Sequence, residues 1–147
     1  MLLAVYGTLR KGQYLGYLLE NMREAGNSEV IELSGLTIHI VGTVPGAKIT
    51  KNPKDKAVVE LIETHISKWY EDKIIQALDA VEGVNDGLYE KNYIDTPKGK
   101  ALIYTIVMDV SNHIQIYDWM KWIKIPLKKR LLAVRRAGQN QISIALR

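Results

Sequence analysis

The chain has 147 residues, 47% hydrophobic and 24% charged, which suits one globular domain around a single core. Cysteine is absent, which excludes disulfides, thiolate nucleophiles and cysteine metal sites. No apolar run approaches the roughly 18 residues that span a bilayer. The N-terminus has no signal-peptide pattern, so no membrane association and a cytoplasmic location are expected. The net charge of +4 is unevenly spread: from Trp119 onward there are eight bases and no acid, and the residues before it are mildly acidic.

Leu2-Leu3-Ala4-Val5 is an apolar run that reads as a buried strand. Tyr6-Gly7-Thr8-Leu9-Arg10-Lys11-Gly12 breaks it, and Leu15, Leu18, Leu19 and Met22 then return at helical spacing. A short helix is expected over 14–24, with Gly26-Asn27 as a left-handed stop. Strands follow over 28–36 and 37–41, with Pro45-Gly46 as a turn and a polar loop over 51–56. Residues 57–66 read as a strand. Ser67 is a good N-cap for a helix to about residue 80, with Trp69, Ile74, Leu78 and Val81 on its apolar side. Residues 89–96 and 101–110 form a hairpin around Pro97-Lys98-Gly99-Lys100. The segment 112–125 clusters Tyr117, Trp119 and Trp122, a basic stretch runs on to Arg136, and 141–146 reads as a last strand. Six or seven β-runs without a βαβ repeat predict an α+β fold: a small mixed β-barrel-like sheet with two or more short helices.

The strand, glycine turn and helix start leave backbone N–H groups unpaired at one point, where they can hold an anion such as a carboxylate. Gly7 lets the backbone approach a ligand closely. The plainer alternative is a turn in which Gly7 only supplies a positive φ. The spacing matches neither a Walker loop nor a dinucleotide fingerprint. Glu82 follows an apolar helix face and precedes Gly83. A carboxylate at the mouth of an apolar pocket has its pKa raised by desolvation, which suits a general base. Asp79 reads as solvated or a local cap, and Glu60 and Glu63 as exposed strand positions. Tyr89 and Tyr104 fall on adjacent strands, where they either present hydroxyls to a pocket or simply pack. His39, His65 and His113 share no ligand spacing, so no metal is expected. The basic tail offers charge, with Trp119 and Trp122 for stacking on nucleic acid. The alternative is a solvated amphipathic helix that packs through Leu127, Leu131, Leu132 and Val134.

Together these residues resemble the gamma-glutamylcyclotransferase-like family, especially its gamma-glutamylamine cyclotransferase branch. The resemblance is carried by Val5-Tyr6-Gly7-Thr8-Leu9-Arg10-Lys11-Gly12, Pro45-Gly46 and Leu78-Asp79-Ala80-Val81-Glu82-Gly83. It continues through Leu88-Tyr89-Glu90-Lys91, Ile103-Tyr104 and Asp118-Trp119. It implies a domain over 1–119, with 120–147 as a basic extension packed on it or extending from it. It further implies that the amides of Tyr6, Gly7, Thr8 and Leu9 hold the α-carboxylate of a γ-glutamyl substrate, with Tyr89 and Tyr104 lining the site. Glu82 would be the acid/base in a reaction that needs no cofactor and no metal. The α-amino group attacks the γ-carbonyl, and 5-oxoproline and an amine or amino acid leave. The contrasting expectation is a catalytically inactive protein of the same fold that binds a small ligand or a partner. The departures from the family pattern are the lack of an asparagine in Gln13-Tyr14-Leu15-Gly16, soon after the loop where one is usual, Lys91 in place of an arginine, and Val59 in place of the glycine before Glu60.

Overall fold

The computed structural model describes residues 1–140 and 145–146. Strands β1 (Leu2–Val5), β2 (Gly26–Ser34), β5 (Lys56–Thr64), β6 (Tyr89–Thr96) and β7 (Gly99–Ile106) form a five-stranded sheet in the order β2-β5-β1-β7-β6. β1 runs antiparallel to β5 and parallel to β7. A second sheet has the order β4-β3-β8-β9, built from β3 (Leu36–Val41), β4 (Val44–Ile49), β8 (Gln115–Ile116) and β9 (Ala145–Leu146). Helices α1 (Glu20–Glu24), α2 (Lys68–Val81), α3 (Trp119–Trp122) and α4 (Leu127–Asn140) complete it. The architecture is the α+β arrangement expected from the sequence.

Alternation along the central strands explains the two cores. Ala4, Tyr6, Val59, Leu61, Ala101 and Ile103 point into a core with Ile38, Ile40, Ala47 and Ile116 of the second sheet. Leu3, Val5, Ile62, Leu102 and Tyr104 point the other way, onto Leu19 and Met22 of the α1 region and Leu78 of α2. A strand covered on both faces must read as a continuous apolar run, as β1 does.

Several local expectations are corrected. The helix expected over 14–24 is a 3₁₀ turn (Gly16–Leu19) followed by the short α1. Gly26 is no helix stop: it opens β2 opposite Thr64, where a Cβ would lie 1.9 Å from the Glu63 carbonyl oxygen. Pro45-Gly46 lies inside β4, and the turn before it is made by Gly42 and Thr43. On α2 only Leu78 is fully buried, whereas Trp69 and Val81 are exposed. Glu60 is buried, at 3% exposure. Of the strand expected over 141–146, residues 141–144 lie outside the described residues.

The segment after Trp119 packs against the first core through Trp122, Ala133, Val134 and Ala137. Leu127, Leu131 and Leu132 are about half exposed, contrary to the packing expected of them. Both tryptophans are buried, so neither is offered to a nucleic-acid base. No helix among the described residues is long and apolar enough to cross a membrane.

Candidate active site

A cavity of about 180 Å³ opens where β1 ends. Tyr6, Gly7, Thr8 and Leu9 line it together with Val44, Pro45, Glu82, Tyr89 and Tyr104. It thus brings together every site residue that the sequence singled out: Glu82, Tyr6, Gly7, Thr8, Leu9, Tyr89 and Tyr104.

The loop is fixed from beneath. Arg23 donates from Nη2 to the Leu9 carbonyl (2.8 Å) and from Nη1 to the Gly16 carbonyl (2.7 Å). It also grips Glu60 through two further bonds, of 2.7 and 2.8 Å. Glu60 in turn accepts the Lys11 N–H at 2.8 Å. Burial pushes the Glu60 carboxyl up, but Arg23 and the Lys11 N–H outweigh it and hold the group below its ordinary value. Arg10, also buried, pairs with Asp118 at 2.7 Å, and Trp119 donates to Gln13 at 3.0 Å. Within the loop, Arg10 N–H bonds the Gly7 carbonyl and Leu15 N–H bonds the Thr8 carbonyl. Among the described residues nothing accepts from the N–H groups of Gly7, Thr8 or Leu9, three residues that line the cavity.

Gly7 is required for space rather than for a positive φ. Its φ is not in the left-handed region, but a Cβ there would sit 2.2 Å from Pro45 Cγ. Pro45 can press so close because Gly46 lets β4 lie on Ile106 of β7, where a Cβ would meet that side chain at 2.8 Å. The Pro-Gly pair is therefore a packing device. Gly7→Ala is expected to lower stability by about 1–3 kcal/mol through overpacking and to weaken ligand binding. Adding Pro45→Ala should return much of both. A denaturant double-mutant cycle measures that coupling.

Glu82 sits at the C-terminal end of α2, where its N–H bonds the Leu78 carbonyl at 2.8 Å. Gly83, in the left-handed region at φ 63°, ends the helix and turns the chain away. Burial pushes the Glu82 carboxyl up to about 7, and a helix C-terminus disfavours a negative charge in the same direction. Burial and the nearby Glu82 charge push the Tyr89 hydroxyl up to about 12. Burial likewise raises Tyr6, with Tyr89 and Glu82 adding to it.

The tyrosines also tie the sheets together. Tyr6 donates to the Tyr104 carbonyl at 2.6 Å and accepts from the Ala47 N–H at 3.2 Å. Tyr89 donates to the Pro45 carbonyl at 2.7 Å. Tyr104 donates to Asp79 Oδ1 at 2.7 Å, and Asp79 Oδ2 pairs with Lys91 at 2.9 Å. Asp79 is thus neither simply solvated nor a cap. Its spacing of three residues from Glu82 puts both carboxylates on one helix face, a signal that was present in the sequence. An acid inside the apolar run Val58-Val59-Glu60-Leu61-Ile62 was a partial hint of burial, but the partner that makes it possible, Arg23, lies 37 residues away.

His39 is buried in β3 with Nε2 3.0 Å from Thr37 Oγ1, and His65 is exposed near Glu63. Among the described residues no His, Asp or Glu cluster is placed to hold a metal ion.

The family profile described as "Gamma-glutamyl cyclotransferase, AIG2-like" matches residues 3–122. The chain belongs to this family. The AIG2-like cyclotransferase fold recurs in an uncharacterized protein of Pyrococcus horikoshii, at 23% identity and TM-score 0.61, covering 85% of this chain and 93% of that one. The ytfP protein of Escherichia coli is similar at 21% identity and TM-score 0.55, covering 81% and 94%. A uropathogenic E. coli-specific protein matches at 17% identity and TM-score 0.58, covering 85% and 96%. Among curated proteins none matches the chain.

Proposed function

We propose that this cyclotransferase-family protein converts a γ-glutamyl compound into 5-oxoproline and a free amine or amino acid, with Glu82 as the base. One observation carries the reading: a carboxylate pushed up to about pKa 7 and three loop residues whose N–H groups have no acceptor line the same small cavity. The N–H groups bind the α-carboxylate, which sets the direction of the glutamyl chain. Glu82 takes a proton from the α-ammonium, because a protonated amine cannot attack. The amine closes on the γ-carbonyl of its own chain, and Glu82 returns its proton to the departing nitrogen. The freed carboxylate takes the surplus proton of the ring nitrogen, which passes on to the released amine. Holding the chain folded makes the attack unimolecular, an advantage that reaches about 10⁵–10⁸ M in effective molarity for well-oriented pairs. The cavity is smaller than the ~300–1,000 Å³ of drug-sized sites, which fits a compact ligand.

The test is 5-oxoproline release from a panel of γ-glutamyl amines and γ-glutamyl dipeptides. The base must be ionised to act, so kcat/KM should rise with pH through an inflection near 7. Saturable binding of the panel without any 5-oxoproline would leave a binding protein and discard the enzymatic reading.

A further inference from the structure

All three cavity tyrosines have given their hydroxyl protons to the protein: Tyr6 to the Tyr104 carbonyl, Tyr89 to the Pro45 carbonyl, Tyr104 to Asp79. A phenol that donates its proton keeps oxygen lone pairs that can only accept. Tyr6 spends one on the Ala47 N–H. Among the described residues nothing donates to the hydroxyl oxygens of Tyr89 and Tyr104, nor to the Glu82 carboxylate. The cavity is therefore polarised, with donors on the loop and acceptors on the wall formed by Glu82, Tyr89 and Tyr104. Tyr104 differs from Tyr89 in how its polarity is set. Its acceptor is a charged side chain, Asp79, which is itself anchored by Lys91 and lies three residues before Glu82. The alternative acceptor, the Ile75 carbonyl, is 3.5 Å away and competes poorly.

We propose that Tyr104, locked as an acceptor by Asp79, receives an N–H of the substrate's α-amino group, with Asp79 as the positioning residue that fixes this polarity. The inference rests on the γ-glutamyl reading above. One proton of the α-ammonium passes to Glu82 while a second N–H stays on the Tyr104 oxygen. That leaves the new lone pair free to meet the γ-carbon. The nitrogen–γ-carbon bond forms, and the Glu82 proton goes to the leaving nitrogen as its bond to the γ-carbon breaks. The ring nitrogen's surplus proton then passes to the freed Glu82 carboxylate and on to the released amine. Without Asp79 the Tyr104 proton can swing into the cavity and oppose the incoming ammonium.

Two probes separate this role from mere packing: L-glutamine, and glutaramate, which is the same molecule without its α-amino group. Affinities are measured by calorimetry at about pH 5.5, where Glu82 is largely protonated and turnover is slow. The wild type should prefer L-glutamine by roughly tenfold or more, the weight of one hydrogen bond to a charged group. Tyr104→Phe and Asp79→Ala should bring that preference close to one while leaving the glutaramate Kd unchanged. Asp79→Asn, whose amide oxygen still accepts the phenol proton, should retain it. A preference that survives in Tyr104→Phe overturns the proposal. So does loss of glutaramate binding in that variant, because Tyr104 would then be structural. Equal binding of both probes by the wild type overturns it and leaves the loop's role standing. A wild type that binds neither probe removes the γ-glutamyl reading itself.

Discussion

Glu82→Gln is expected to lower kcat/KM for 5-oxoproline formation by about 10²–10⁴-fold, the usual contribution of a positioned general base. Glutamine keeps the shape and the polarity of the carbonyl end but cannot take the proton, so KM should move little compared with kcat. Activity unchanged in this variant would sink the mechanism. The same substitution should make the protein more stable at alkaline pH. Because the folded-state pKa of about 7 lies above the ordinary 4.5, the native state binds the extra proton between those values. Stability present in acid is therefore lost as pH rises from about 4.5 through 7, by roughly 1–3 kcal/mol. Glu82→Gln removes that loss, so its denaturation midpoint at pH 8 should exceed the wild type's and converge with it near pH 5. Denaturant melts at the two pH values decide it. Function and stability pull in opposite directions at this position: the ionised form that catalysis needs is the one that the fold tolerates least.

Glu60→Ala should cost about 3–5 kcal/mol, because it strands the Arg23 guanidinium in a buried place. Here the linkage has the opposite sign. The Glu60 carboxyl is held below its ordinary 4.5, so its contribution is present above that value and is lost as pH falls below it. The double change Glu60→Leu with Arg23→Met should recover much of the stability, as apolar replacements of buried pairs commonly do. It should not recover ligand binding, because Arg23 also holds the carbonyls of Leu9 and Gly16. Urea titration read beside ligand affinity separates the two effects. A double variant that restores both would show that the ion pair does not preorganise the loop.

The sequence was most legible where one local rule governs. β1, the β6–β7 hairpin and the Ser67 cap of α2 follow from apolar runs, a turn glycine at φ 117° and a capping hydroxyl. The loop of residues 6–9 and Glu82 stood out by residue type, and the cavity that joins them is a product of the fold. What sequence reasoning missed depends on contacts far apart in the chain. Pro45-Gly46 looked like a turn because that dipeptide usually makes one, whereas its role is to let β4 press on Gly7 and Ile106. Glu60 looked like a surface acid until Arg23, 37 residues away, supplied its partner. The α4 leucines were placed inside by their apolarity, but the helix turns Ala133, Val134 and Ala137 inward instead.

The placement of β1 has a consequence for how the molecule is made. It lies between β5 and β7, and both of these are synthesised after it. The loop that follows it is further secured by Asp118 and Trp119, more than a hundred residues downstream. During synthesis the β5 partner of β1 follows first, whereas the pairing with β7 waits until residues 99–106 have been made. One edge of β1 therefore stays open until β7 arrives, and non-local pairing of this kind slows folding. The cavity can be completed only after Glu82, Tyr89 and Tyr104 have followed the loop of residues 6–9 in synthesis, so its proposed anion-binding motif is made well before the residues that face it.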